Sequence, residues 1–321
     1  MQPSFLRAVR RLSAAPGGGQ RSRLLSSMPP SPITAYRASL ELPQLRTGLT
    51  REFTASDVDR TPAHAFRSRV SSGEWGGPTV GCAPGFVQAN FVALPAAYAS
   101  DFLTFCLRNP RACPLLDVTS PGDPIPRTVA PNADLRSDIP RYRVWRDGLV
   151  AEEVPHLDST LWDDRTVGFL LGCSFSWEHE LHAANLTPRQ MEEGRNVPMY
   201  KTNVSNAPVG PFAGQLVVSM RPYLPKDLEA VAQLTGRYPG AHGAPIHWGD
   251  PAELGLSREQ VCEGEPDWGE QVTVRQGEEP VFWACGVTPQ AALAEARIPF
   301  AITHAPGHML VCDVTDRELS V

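Results

Sequence analysis

The chain has 321 residues, 42% hydrophobic and 20% charged, with a formal net charge of −6. That composition supplies a large apolar core in one domain or two intimate ones. The acidic balance gives nucleic-acid binding no electrostatic footing, and no run approaches the roughly 18 apolar residues of a membrane span.

The first forty residues differ from the rest. No Asp or Glu precedes Glu41, while Arg7, Arg10, Arg11, Arg21, Arg23 and Arg37 stand among many serines. On a helical projection Phe5, Val9 and Leu12 share one face and Arg7, Arg10 and Arg11 another. This acid-poor, Arg- and Ser-rich amphipathic start reads as a transit peptide over residues 1–30, with cleavage expected between Arg23 and Ser27. The expected destination is the mitochondrial matrix, with plastid and cytoplasm as alternatives. Residues 31–67 are expected to form a lead-in segment, and 68–321 the working domain, with a smaller lobe around 140–215.

A helix is expected over 52–70, interrupted at Pro62, and a strand over 86–94. Pro95 suits the first turn of the next helix, which ends near Arg108 at Asn109-Pro110. Residues 114–118 read as a short strand. Residues 141–154 read as a hairpin about Asp147-Gly148, which suits a type I′ turn. Residues 167–172 form a compact apolar strand, with a helix from Ser176. Thr187-Pro188-Arg189-Gln190 has the form of a capping box. A strand over 216–220 is followed by a helix over 225–235, closed by Gly236 in a left-handed cap. A strand over 280–284, a helix opening at Thr288-Pro289, and strands over 300–303 and 309–314 complete the chain. Strands alternating with helices predict an α/β fold.

Several polar clusters fall just after predicted strands, at the carboxyl ends where open α/β sheets place their sites. Gly172-Cys173-Ser174-Phe175-Ser176 lies between a strand and a helix start, where free N–H groups favour an anion. The bland alternative is that Ser174 and Ser176 simply cap a helix. Cys285, before Gly286-Val287-Thr288, is a thiol at a helix start, and either a reactive group or a small buried one. Arg221 follows an apolar run and could fork onto a ligand carboxylate or form a structural ion pair. His242, His247 and Asp250 have no metal-site spacing, so no metal is expected; His247 or His304 suits acid–base work. The loop from Arg195 to Asn203 offers Asn196, Tyr200 and Asn203 as ligand-orienting groups or as a solvated connector. The seven cysteines are odd in number and include no CxxC pair, which excludes a thioredoxin-type motif. Neither G-x-G-x-x-G nor a P-loop occurs, so no nucleotide cofactor is expected.

The stretches Gly81 to Asn90, Asp138 to Val144, Gly172 to Ser176, Gly194 to Tyr200, Ser219 to Pro222, His242 to Pro251, Pro280 to Pro289 and Ile302 to Gly307 resemble the YcsI-like hydro-lyase family, which includes the D-glutamate cyclases. The resemblance is to the bacterial stand-alone members and to the N-terminal part of mitochondrial D-glutamate cyclases, and runs from about residue 68 to residue 314. It implies a two-lobed α/β fold, a three-layer sandwich with a smaller two-layer α+β lobe.

It also implies a hydro-lyase acting on a small carboxylate or acidic amino acid, such as cyclisation of D-glutamate to 5-oxo-D-proline and water. For that chemistry Arg221 is expected to hold the carboxylate, with Cys173, Ser176, Asn196, Tyr200, Asn203, His242 and Asp250 around the substrate. Ser174 would stabilise the oxyanion, and His247, His304 or Cys285 would protonate the departing oxygen. No cofactor is expected, and no nucleic-acid or membrane partner; monomer and homo-oligomer stay open. The alternatives are a non-catalytic carboxylate-binding protein and a Cys- or Ser-dependent lactam amidohydrolase.

Overall fold

The computed structural model describes residues 31–41 and 61–321. The expected transit peptide and the first part of the expected 52–70 helix lie outside the described residues. Residues 31–321 form one compact unit.

The strands are β1 (Phe86–Pro95), β2 (Leu115–Val118), β3 (Tyr142–Arg146), β4 (Leu149–Val154), β5 (Thr166–Gly172), β6 (Met199–Ser205), β7 (Gln215–Tyr223), β8 (His247–Trp248), β9 (Glu279–Ala284), β10 (Ala301–His304) and β11 (Leu310–Thr315). The α-helices are α1 (Ile33–Glu41), α2 (Thr61–Ser71), α3 (Ala96–Arg108), α4 (Phe175–Ala183), α5 (Arg189–Glu193), α6 (Leu228–Gly236), α7 (Arg258–Cys262), α8 (Thr288–Ala296) and α9 (Asp316–Leu319).

Two sheets result. The larger has seven strands in the order β2-β5-β1-β10-β3-β4, with β11 also on β1; the smaller has four, β6-β7-β9-β8. The α/β layered class is as expected. The carboxyl-edge premise is corrected, because every described strand pair is antiparallel. Antiparallel neighbours end at opposite edges, so no common carboxyl edge exists. The segment 140–215 is divided between the sheets: β3, β4 and β5 join the larger, and β6 and the first residue of β7 the smaller.

One apolar core unites the two sheets. Val92, Phe169 and Leu171 of the larger meet Val218, Met220 and Phe282 of the smaller, together with Phe102 and Phe105 of α3. Ile33 and Tyr36 of α1 are buried in the same core, which ties the lead-in segment to the domain. Phe102 meets Phe169 edge-on at 4.9 Å and Phe212 at 5.1 Å, the geometry the ring quadrupoles favour.

Local expectations divide by how much they depend on distant partners. Asp147 and Gly148 both take positive φ, 49° and 81°, as a type I′ turn requires. Helix α2 is described from Thr61, which places Pro62 in its first described turn; the part of the expected helix before Thr61 lies outside the described residues. Gly236 is the last residue of α6, not a left-handed cap: Arg237 follows at φ −69°. The chain then tightens into a 3-10 turn, and His242 and Gly243 take the positive φ instead. The capping box at Thr187 does not form. Thr187 contacts His182 Nδ1 at 3.0 Å, and Gln190 donates to Glu178 at 2.7 Å.

Candidate functional site

The turn from β5 into α4 begins at Gly172. A Cβ there would stand 1.7 Å from the Gly240 carbonyl oxygen, so only glycine lets the two backbones approach. Ser174 occupies the N-cap position of α4 without making a cap bond. Its Oγ instead accepts from Arg221 Nη2 at 2.9 Å. Ser176 Oγ accepts from the Gln88 backbone N–H at 3.1 Å. The simple capping alternative is thereby corrected: both serines bond across elements.

Arg221 lies inside β7, not after it, and is fully buried. Antiparallel pairing sets Ser219 opposite Trp283 and Arg221 opposite Val281, so these four share the face turned away from the main core. The guanidinium is held between the rings of Trp177 (4.8 Å) and Trp283 (5.3 Å). It donates to Glu178, to Ser219 Oγ at 3.0 Å and to Ser174. Glu178 therefore occupies the fork that a ligand carboxylate would need. Burial pushes the Glu178 carboxyl above its ordinary range, while Arg221 and Gln190 hold it back. Arg221 Nε and Glu178 Oε2 are buried without a protein partner.

Cys173 and Cys285 lie in the same field. Cys173 is pushed up to about 12, first by burial, while the Phe175 N–H and Arg221 lower it and Cys285 and Glu178 raise it. Cys285 is pushed up to about 11 by burial, opposed by the Val287 N–H, Arg221 and the Gly286 N–H. Both are neutral thiols at physiological pH. Helix α8, after Cys285, also starts without a side-chain cap. The Cys173, Ser174, Arg221 and Cys285 positions are thus brought together, with Glu178, Trp177 and Trp283 added. In the sequence Glu178 looks like an ordinary first-turn acid favoured by the helix dipole; the partner on β7 is invisible there.

Other candidates stand elsewhere. His247 pairs with Phe282, on the opposite face of the small sheet from Arg221. Its Nε2–H donates to the Asp250 carbonyl at 2.7 Å, which leaves Nδ1 to accept from the Ser31 hydroxyl at 2.6 Å. It pins α1 and the following loop rather than offering a free ring nitrogen. Asp250 is exposed and caps a short 3-10 turn through Ala252 N–H at 3.0 Å. The Tyr200 hydroxyl donates to Gln271 Oε1 at 3.0 Å. Asn203 is exposed and accepts from Arg37 at 3.1 Å. Asn196 is half-buried, with its backbone N–H on Glu270 at 2.8 Å.

His242 is buried, donates from Nδ1 to the Arg111 carbonyl at 2.7 Å, and is lowered to about 4 by burial. His304 closes β10 and pairs with Tyr142. Its Nδ1 accepts the Phe91 N–H at 3.0 Å, so the proton of the neutral ring sits on Nε2, which has no protein partner. Burial lowers it to about 4, which makes it a hydrogen-bond donor rather than an acid at neutral pH. Among the described residues no group of three or more His, Cys, Asp or Glu could hold a metal ion.

A polar cleft of about 460 Å³ shares no lining residue with this junction. His64, Arg67, Ser68 and Ser71 line it at helical spacing, opposite Asp138. Arg67 is bound below by Asp313 at 2.6 Å and by the Val311 carbonyl at 2.8 Å.

Residues 167–313 match the family model for D-glutamate cyclase. That span holds Cys173, Ser174, Glu178, Arg221 and Cys285. The chain is 54% identical over 255 residues to a protein of Rubrobacter xylanophilus described as "Putative hydro-lyase", covering 79% of this chain and 96% of that one. A similarly described protein of Burkholderia multivorans is 53% identical over 262 residues, 81% of this chain and 98% of the relative. One from Stutzerimonas stutzeri is 49% identical over 263 residues, 82% and 97%. With half of all aligned positions identical across nearly the full length of these relatives, the chain belongs to the D-glutamate cyclase family.

Proposed function

We propose that the chain removes water from a small acidic amino acid, with D-glutamate cyclised to 5-oxo-D-proline as the leading case. Family membership supplies the enzyme class, a carbon–oxygen hydro-lyase. The observation that carries the site is the meeting of two strand-to-helix turns, each with a cysteine and neither with a side-chain cap, beside Arg221. The positive ends of the two helices favour a carboxylate.

In this reading the two positive helix ends stabilise the substrate carboxylate and the developing oxyanion. The α-amine attacks the γ-carboxyl carbon, the C–N bond forms and the C–O bond breaks. Cys285, a neutral thiol, gives its proton to the departing oxygen and regains one from the nitrogen, whose lost protons leave with that oxygen as water; holding amine and carboxyl together supplies much of the acceleration. Arg221 acts as a positioning residue: with Glu178 and Ser174 it fixes the β5–α4 turn.

The test is incubation of the full chain with D-glutamate, L-glutamate and short dicarboxylates, read by mass spectrometry for loss of water. Loss from D-glutamate, reduced roughly 100-fold in Cys285→Ala, is expected. No water loss from any acidic amino acid by the wild-type chain would overturn the reading.

A further inference from the structure

We propose that Cys173 and Cys285 form a two-thiol pair that exchanges the α-hydrogen of a small carboxylate with solvent, an activity beyond the loss of water. This rests on the junction being the substrate site. The two thiols occupy equivalent places in two copies of one device. A buried strand ends, a cysteine follows, and a nine-residue helix starts without a side-chain cap. The Phe175 N–H lies near enough to lower Cys173, and the Val287 and Gly286 N–H groups to lower Cys285.

The two turns come from different sheets, and Asn90 of β1 joins them. Its Nδ2 donates to the Gly172 carbonyl at 2.8 Å, and a Cβ on Gly286 would fall 2.1 Å from the same atom. Gly286 is therefore pressed against the group that holds Gly172, which brings the two cysteines to one spot. An independent observation points to a ligand there. Arg221 Nε and Glu178 Oε2 are fully buried without partners, and both charges act on Cys173. Buried polar atoms without partners are uncommon and call for an occupant or a role.

The chemistry balances without an oxidant or a cofactor. One sulfur, as thiolate, takes the α-proton: the C–H bond breaks, an S–H bond forms, and the electron pair moves into the carboxylate as an enediolate. The other thiol gives its proton to the opposite face of the carbon, which inverts it, and is left as thiolate. The two sulfurs have exchanged roles, and solvent resets them. The free enzyme holds both thiols protonated. The charged groups that face them are Arg221 from β7 and Glu178 from α4, together with the pair itself. Exchange therefore needs one ionisation and speeds up with pH.

The experiment uses the full chain in D2O with D-glutamate and 5-oxo-D-proline, with α-deuterium followed by proton NMR and water loss by mass spectrometry. Wild type should accumulate α-deuterium at a rate rising about tenfold per pH unit between about pH 7 and about pH 9. Cys173→Ser and Cys285→Ser should each lower it roughly 100-fold at an unchanged melting temperature, and Cys82→Ser should leave it unchanged. Water loss without α-deuterium would overturn the exchange and leave the hydro-lyase reading standing; absence of both would overturn both. Exchange that persists in either folded serine variant would overturn the pair. Should the variants not fold, a pH-independent wild-type exchange rate overturns it as well.

Discussion

Replacing Glu178 by Gln keeps the shape of the side chain and removes the charge that neutralises a fully buried guanidinium. Glu178 is 2% and Arg221 0% exposed, so water replaces nothing. Removing one member of a buried pair costs about 3–5 kcal/mol, because the other charge stays behind. Arg221 would keep Ser219 at 3.0 Å, Ser174 at 2.9 Å and both indole faces, which argues for the lower half of that range. At about 2 °C per kcal/mol for a chain of this size, the melting temperature should fall by roughly 6–8 °C.

The reciprocal change, Arg221→Met, behaves differently with pH. It leaves a carboxyl already raised by burial and removes the guanidinium that held it down. The folded state then binds more protons than the unfolded one, so stability is highest at acid pH. It is lost as pH rises from the unfolded value, about 4.3, through the folded value. The stability of Glu178→Gln carries no such pH dependence from this site, since the titrating carboxyl is gone. Thermal melts of both variants at about pH 5 and about pH 8 separate the two behaviours. A Glu178→Gln melting point within about 2 °C of wild type would refute the claim that this pair is buried and mutually dependent.

Gly172→Ala should fail to fold, because its Cβ meets backbone at 1.7 Å, whereas Gly76→Ala, with nothing within 4 Å, should be soluble and melt as wild type. Acid should destabilise the protein: His242 and His304, both lowered to about 4, are held neutral when folded, so stability falls as pH drops from the unfolded value near 6.5 toward 4. His304→Gln should reduce that slope by about 1.4 kcal/mol per pH unit, measured by urea unfolding across the range; an unchanged slope would show that His304 is not buried neutral. Chelation with EDTA should leave water loss unchanged, and a loss rescued by one divalent ion would reverse the expectation of metal independence. Residues 1–30 fused to a reporter should direct it to mitochondria, as their acid-free, Arg-rich start suggests; a reporter left in the cytosol would count against it.

Much of the architecture was legible because it depends on near neighbours in the chain. Alternating turns and apolar runs located the main strands, and Asp147-Gly148 specified its turn through the conformations those two residues tolerate. The clusters at 172–176 and 285–288 stood out for the same reason: a strand end, a small residue and a helix start are local events. Capping at Thr187 and Gly236 failed where tertiary partners offered more, Glu178 for Gln190 and a tight 3-10 turn after α6.

The sequence by itself determined the layered class, the kinship, and the residue types available for acid–base work. Tertiary structure decided which of them meet. Every described strand pair proved antiparallel, so position after a strand did not mean a shared edge. His247 and Arg221 lie on opposite faces of one sheet, because side chains alternate along a strand and the pairing register assigns each to a face. Arg221 was visible as a cation, but its partner depended on a helix some forty residues earlier in the chain. A buried charge takes the partner that folding brings to it, and spacing along the chain does not specify that partner.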